Sequence, residues 1–458
     1  MTASKRAKSP MDLCEGPFLK KILIYTVPII LTGLLQLLFN AADLVVVGQF
    51  CGENSVGAVG ATGSLITLLV NLFMGFATGA GVCVAQGLGA KDEKLVHRTI
   101  HTAIPGAVVC GVFLTVVGML FSGTFLEWMK TPAEQIELST VYLKIYFAGV
   151  IPMLLYNFGA AILRAAGDTR TPLIFLSISG VLNVLLNVLF VWAFDLNVAG
   201  VALATTISQT LSCVLVMIEL TRRKDEIRLD FRKLRFYKKA LVRIVRIGLP
   251  AGLQGSMFAI SNVIIQSSVN SLGSVVLNGS AASSSIEGFV YTVMVGFQQT
   301  VMNFVGQNIG AGKTENVRKI TRICLCCVVA SGMIVGSVAV LLRRPLLSIY
   351  LGSSEASIAF GSERLIAIAT TYFLCGIMDV LSGALRGMGY SVQPMILCVF
   401  GVCVLRIVWI MTVFAMEAYH TLSVLVASWP LSWLITSIAL AVTYLICYRK
   451  AFRKRASY

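Results

Sequence analysis

Gln86-Gly87-Leu88-Gly89-Ala90 returns 221 residues later as Gln307-Asn308-Ile309-Gly310-Ala311. Two further landmarks keep nearly the same step. Pro28 and Pro250 are 222 apart, and Leu163-Arg164-Ala165-Ala166-Gly167 with Pro172 is matched 222 residues on by Leu385-Arg386-Gly387-Met388-Gly389 with Pro394. A fixed period of nearly half the 458 residues reads as a duplicated unit. The material between the landmarks is apolar: 57% of the chain is hydrophobic, 13% is charged, and the mean hydropathy is +0.84. Soluble domains carry about 25% charged residues, so this chain lacks the means to cover a water-facing surface.

An apolar run of about 20 residues spans a bilayer as a helix. Twelve runs fall at 18–47, 54–82, 100–124, 136–160, 171–194, 198–220, 247–271, 275–305, 320–342, 362–384, 394–416 and 421–448. Lipid offers the backbone no hydrogen-bond partners, which favours helices. The short alternating segments of a membrane barrel do not occur. The expected fold is an all-α polytopic membrane protein with twelve transmembrane helices in two pseudo-symmetric six-helix bundles. The N-lobe covers 1–221, a basic linker 222–246, and the C-lobe 247–458.

A net charge of +16 invites a nucleic-acid reading. The placement of the charge argues against it, since 31 of the 37 Lys and Arg fall in alternate connecting segments. That bias predicts a multi-pass cell-membrane protein with both termini cytoplasmic, and only an even number of spans satisfies it. Arg343 and Arg344 are the local exception. Both halves then start inside, giving a parallel repeat of the kind found in secondary transporters. The linker, with eleven basic residues from Arg222 to Arg246, reads as an amphipathic segment on the anionic inner leaflet. The first apolar run is too long for a signal-peptide core and is expected to remain as a span.

Several alternatives find no support. The twelve cysteines are scattered, and Cys324, Cys326 and Cys327 lack histidine partners, so they read as packing residues. His97 and His101, one helical turn apart, are too few for a metal site. No nucleophile-and-base pair lies within the apolar runs, which argues against an embedded enzyme. The glycine-rich turns carry no phosphate-binding pattern. No cofactor is expected, and transport would have to be secondary.

Ionisable side chains inside apolar runs mark function by default, at about 2.5–3.5 kcal/mol each on insertion scales. The clear cases are Asp43, Glu287, Asp379 and Arg406. Asn183 and Asn187 share a helix face, and Thr205 sits about two turns into the following span. With Asp43 they form an oxygen-rich set suited to Na⁺, while the carboxylate alone would take a proton. Gln36, Asn40 and Asp43 follow one helix face. Pro28 removes a hydrogen bond inside the first span and permits a bend there. Arg406 is expected to neutralise Glu287 or Asp379. At the repeat offset Asp43 corresponds to Ile265 and Asn157 to Asp379, so the lobes share a skeleton and not a polar site. Met294 and Met302 would supply an adaptable apolar wall.

The order and spacing of these motifs resemble the multidrug and toxic compound extrusion (MATE) family, nearest its DinF-like branch. The matching residues are Pro28, Asp43, the two glycine-rich turns, Asn183 to Gly200, Gly200 to Gln209, and Asp379-Val-Leu-Ser-Gly-Ala-Leu-Arg-Gly389. The resemblance covers nearly the whole chain. It implies export of amphiphilic, often cationic compounds in exchange for H⁺ or Na⁺, by a monomer in the lipid bilayer. It aligns Asp43, Asn183, Asn187 and Thr205 with the family's N-lobe cation site and adds Tyr142 and Asn157 to the same cavity. Asn187 stands where many members carry Asp, which leaves the coupling ion open. Asp379 matches the family's tenth-span aspartate, but Phe258 stands where the NorM branch has a glutamate. A lipid-linked saccharide flippase of a related family is the alternative. It calls for basic residues deep in the cavity, and by sequence only Arg406 lies deep.

Overall fold

The computed structural model describes residues 11–51, 53–129 and 131–456. The polar start of the chain, 1–10, and Lys130, both counted in the charge pattern, lie outside the described residues. Among the described residues the protein is helical throughout, without strands.

The repeat is visible element by element. In the first half come α1 (Phe18–Phe50), α2 (Glu53–Gly89), α3 (Glu93–Trp128), α4 (Ala133–Ala148), α5 (Val150–Ala165), α6 (Arg170–Val188) and α7 (Asn197–Arg222). The second half has α8 (Lys238–Asn270), α9 (Ser274–Gly310), α10 (Thr314–Leu341), α11 (Arg343–Leu351), α12 (Glu355–Ala369), α13 (Tyr372–Gly387), α14 (Val392–Cys398), α15 (Leu405–Trp409) and α16 (Leu422–Ala456). α1 and α8 are both 33 residues long, and α2 and α9 both 37. One difference is that α3 is a single helix where its counterpart breaks into α10 and α11. The break falls at Arg343 and Arg344, the basic pair that departed from the charge pattern.

Among the described residues nine helices are long and apolar enough to cross a membrane, or eleven when each of two bent pairs is one span. The bent pairs are α4 with α5, at 47°, and α12 with α13, at 44°. They correspond to the expected spans 136–160 and 362–384, which are therefore broken rather than continuous. α9 completes the twelve. Its sequence mixes Ser280, Ser283, Glu287, Gln298 and Asn303 into the apolar run, and all five are buried or half-buried. A helix wrapped by protein has no lipid-facing surface to keep apolar, so hydropathy alone does not mark it.

The linker also differs from expectation. α8 begins at Lys238, inside the range read as linker, and the connecting chain does not simply present a face to lipid. Ile227 and Leu229 are buried against the first bundle. The Asp230 backbone N–H donates to His101 Nε2 (3.1 Å), the Tyr237 N–H to Thr102 Oγ1 (3.1 Å), and the Arg235 N–H to the His101 carbonyl (3.2 Å). His101 thus has a structural duty, pinning the linker to α3. His97 stacks on it with ring centroids 3.8 Å apart.

The bundles meet along two seams. On one, Gly75 and Gly79 of α2 face Gly248 and Gly252 of α8, two small-xxx-small pairs that let backbones approach closely. A Cβ on Gly252 would lie 2.1 Å from the Leu72 carbonyl oxygen. The repeat-equivalent seam joins α1 to α9 and holds Thr26, Ile30, Gly296 and Thr300 at those places. There the Thr26 and Thr300 hydroxyls share a hydrogen bond of 2.8 Å.

At the end where the basic residues gather, the two glycine-rich turns lock reciprocally. Gln86 Nε2 donates to the Gly387 carbonyl (2.8 Å), and Gln307 Nε2 donates to the Ala165 carbonyl (2.7 Å). A Cβ on Gly89 would stand 1.9 Å from the Gln307 oxygen, and one on Gly310 would stand 2.0 Å from the Gln86 oxygen. That contact is why both turns end in Gly-Ala. Residues 11–16 strap across this closure: Leu13 is fully buried, Asn308 Nδ2 donates to its carbonyl (2.9 Å), and Lys313 pairs with Glu15 (2.6 Å).

Candidate transport sites

The first site lies between α1, α6 and α7. α1 runs unbroken through Pro28 and carries Gln36, Asn40 and Asp43 along one face into a cavity of about 190 Å³, which Asn183, Thr205, Ser208 and Gln209 also line. Asn187 closes it. Its amide Nδ2 donates to Asp43 Oδ1 and, at 3.3 Å, to Asn183 Oδ1. Thr205 Oγ1 donates to Asp43 Oδ2 (3.4 Å) and accepts from Asn183 Nδ2 (3.3 Å). Asn187 Oδ1 is buried without a partner, as are Ser208 Oγ and Gln209 Oε1. The four residues expected to converge do so, and the set offers only oxygen as a ligand atom for a cation. A π-helical turn, Leu189–Ala193, directly follows Asn187; such turns recur at functional sites.

Two residues tied to this cavity by resemblance sit apart from its lining. Tyr142 is buried with Val46, Val47, Val191, Val198 and Val201, one turn along α1 from Asp43. Asn157 donates to the carbonyl of Met153, four residues back on its own helix. Ser208 and Gln209 were not singled out by sequence reasoning. Their signal was helical spacing, since Gln209 follows Thr205 by one turn.

The second site is the larger cavity, about 510 Å³, set mostly in the second bundle and walled on one side by α2. Arg386, Arg406, Tyr291, Tyr372, Trp429 and Trp433 line it, and Phe258 contributes to its wall. Here the expected charge pairing is corrected. Glu287 is held by Arg364, not Arg406: Arg364 Nε and Nη2 donate to its two carboxylate oxygens at 2.8 and 3.0 Å, with Ser283 and Ser280 completing the network. Arg364 lies on α12, whose residues 358, 361, 365 and 368 pack inward, and this brings its planar fork square onto Glu287. Arg364 is not among the candidate site residues read from the sequence.

Asp379 accepts from Gln298 Nε2 (3.2 Å), while its Oδ2 is buried and unpartnered. Arg406 is 5% exposed and has no carboxylate within 4 Å among the described residues. Its Nε donates to Ser432 Oγ (2.9 Å), its guanidinium lies 4.8 Å from the Trp429 ring and 5.6 Å from that of Trp433, and its Nη2 has no partner. Met294 and Met302 are core residues of this half and the seam, and neither lines the cavity; Met74 and Met378 do.

Two pseudo-symmetric six-helix bundles with polar groups buried within them define a membrane transporter of small molecules. The chain belongs to the MatE family, which matches it twice, over residues 28–189 and 250–412. It is 28% identical over 437 residues to the probable multidrug resistance protein YoeA of Bacillus subtilis, covering 93% of this chain and 91% of that one. It is 22% identical to the multidrug export protein MepA of Staphylococcus saprophyticus, covering 86% and 87%. Among solved structures, a multidrug resistance MATE family transporter of the MOP superfamily in an outward-facing conformation superposes with a TM-score of 0.91, covering 98% of this chain and all of that one. At 19% identity that likeness is one of fold.

Proposed function

We propose that this chain exports amphiphilic organic compounds, cationic ones among them, by antiport with H⁺ or Na⁺, and that Asp43 is the coupling group. The observation that carries the reading is the N-bundle site: a buried carboxylate ringed by Asn183, Asn187 and Thr205, with Asn187 Oδ1 left without a partner. A proton on Asp43, or a Na⁺ taken up by Asp43, Thr205 and the two amide oxygens, cancels the one negative charge facing the cavity. A cationic substrate held by that charge is then released. The empty acceptor at Asn187 favours a cation arriving from the cavity, since rotation of that amide turns an oxygen toward it.

The moving part is α1. Pro28 leaves the Ile24 carbonyl without its helical N–H partner, and α1 meets the other bundle through a breakable Thr–Thr hydrogen bond rather than through locked backbones. The locked basic end, read as cytoplasmic from the charge pattern, makes this the state closed toward the cytoplasm. The energetics suffice: one charge crossing 100 mV supplies about 2.3 kcal/mol. The protein would act as a monomer in the cell membrane, with both termini inside.

The test is export of ethidium from proteoliposomes driven separately by imposed pH and Na⁺ gradients. Asp43→Asn should abolish gradient-driven export while leaving the protein folded. Normal export by Asp43→Asn would refute the coupling role. Whichever gradient drives the wild type identifies the ion.

A further inference from the structure

We infer that the cavity of the second bundle is a binding site for the anionic group of an amphiphilic substrate, a carboxylate or sulfonate held by Arg406 with its apolar body against Trp429 and Trp433. This extends the proposed export reading from cations to organic anions and zwitterions, and it concerns a different cavity from the Asp43 site.

Charge accounting within the bundle leads there. Glu287 and Arg364 cancel in a bidentate pair. Asp379 and Arg386 offset each other in net charge without a direct ion pair, and Arg386 Nη2 donates to Gln254 Oε1 at 2.8 Å. Arg406 is left over. Burying a guanidinium without a counter-charge is costly, and stacking on two indole faces offsets only part of that cost. A chain that needed only packing here would have used an apolar residue. The guanidinium therefore reads as functional, and its fork lacks an acceptor: Nη2 of Arg406 and Nε of Arg386 are both buried and unpartnered. Both side chains line the same cavity, whose size suits a drug-sized head group.

The local fold holds Arg406 in place for this duty. Two π-helical segments, Val399–Val404 and Ile410–Phe414, flank its short α-helical stretch, re-aiming the turn that carries it. The Trp429 ring has the Arg364 guanidinium 5.4 Å and the Arg406 guanidinium 4.8 Å from its centroid. The geometry thus offers a planar donor beside an aromatic wall, the arrangement that binds a planar oxyanion attached to a ring. One unpaired positive charge calls for one negative charge on the ligand.

The experiment uses the purified full chain in detergent and no ion gradient. At mildly acidic pH, where the xanthene hydroxyl is protonated and the carboxylate is ionised, binding of fluorescein, of its methyl ester, which then carries no negative charge, and of cationic rhodamine 6G is followed by fluorescence anisotropy. The wild type should bind fluorescein at least tenfold more tightly than the ester. Arg406→Met should lose at least tenfold toward fluorescein, keep rhodamine 6G within twofold, and elute as the wild type does. Arg406→Lys should recover part of the loss. Equal affinity of the wild type for acid and ester would overturn the inference without reference to any variant, as would unchanged fluorescein binding by Arg406→Met. Asp43→Asn should bind fluorescein as the wild type does, so failure of the coupling proposal and failure of this one are told apart.

Discussion

The seams that join the two bundles descend from one repeat and yet differ in kind. Where α2 meets α8, four glycines bring backbone against backbone; where α1 meets α9, the same places hold Thr26, Ile30, Gly296 and Thr300. The first seam has no freedom, because any shift of α8 drives main-chain atoms together. The second is held by side chains, which can exchange partners. Duplication supplied two equivalent first helices, and substitution at a few positions gave one a backbone seam and the other a side-chain seam. The polar sites divide likewise: the helix with the side-chain seam carries the buried carboxylate, while the other half surrounds a cavity with arginines.

The largest effect expected from breaking this asymmetry is on the second bundle's ion pair. Glu287→Gln leaves Arg364 buried with no counter-charge and should lower stability by about 3–5 kcal/mol, seen as a large drop in the thermal midpoint in detergent. Asp43→Asn, which removes a charge that has no ionic partner, should leave that midpoint nearly unchanged. Next come the seams. Gly252→Ala adds a Cβ against the Leu72 carbonyl and should cost about 1–3 kcal/mol. Thr300→Ala removes one hydrogen bond and should cost about 1 kcal/mol. Equal midpoints for these two would mean the seams do not differ as their packing suggests.

The reciprocal lock should respond on the scale of the Thr–Thr contact. Gln86→Ala and Gln307→Ala should each weaken the closed basic end by about 1 kcal/mol, and the double variant should show faster hydrogen exchange at residues 11–16. The smallest effect belongs to the strap itself. The hydrogen bond and charge of Lys313 hold the Glu15 carboxyl below its usual range, and Glu15 in turn raises the Lys313 ammonium. A lowered carboxyl pKa gives stability that is present above its unfolded value and lost as pH falls through the folded one. A raised lysine pKa gives stability that is lost as pH rises through its folded value. Protection of the Leu13 and Cys14 amides, taken relative to their intrinsic exchange rates at each pH, should therefore be greatest near neutrality and fall at both extremes, while Lys313→Met should flatten the profile.

Much of this was legible in the chain. The 222-residue step located Pro28 against Pro250, the two glycine-rich turns and the two Leu-Arg turns. In the structure those turns are among the places where the halves touch. Convergence of Asp43, Asn183, Asn187 and Thr205 followed from helical spacing and depth, because in a bundle of straight helices depth along one helix nearly fixes the neighbours on the next. The errors fell where that regularity fails. Arg364 lies on the short helix α12 before the 44° bend into α13, so its position in the apolar run did not show that it, rather than Arg406, reaches Glu287. Arg406 lies between two π-helical segments, where the face a residue presents no longer follows from its number.

The sequence by itself determined the membrane class, the helical content, the duplication and the carboxylate of the first bundle. Each is a matter of composition or period, and lipid enforces it by refusing unpaired backbone and uncovered charge. Only the tertiary structure decided which arginine neutralises Glu287, which is left facing a cavity, and how each of the two equivalent first helices meets the other bundle. Those outcomes depend on contacts between side chains 77, 26 and 274 residues apart, at distances of 2.8–2.9 Å that no period in the chain encodes.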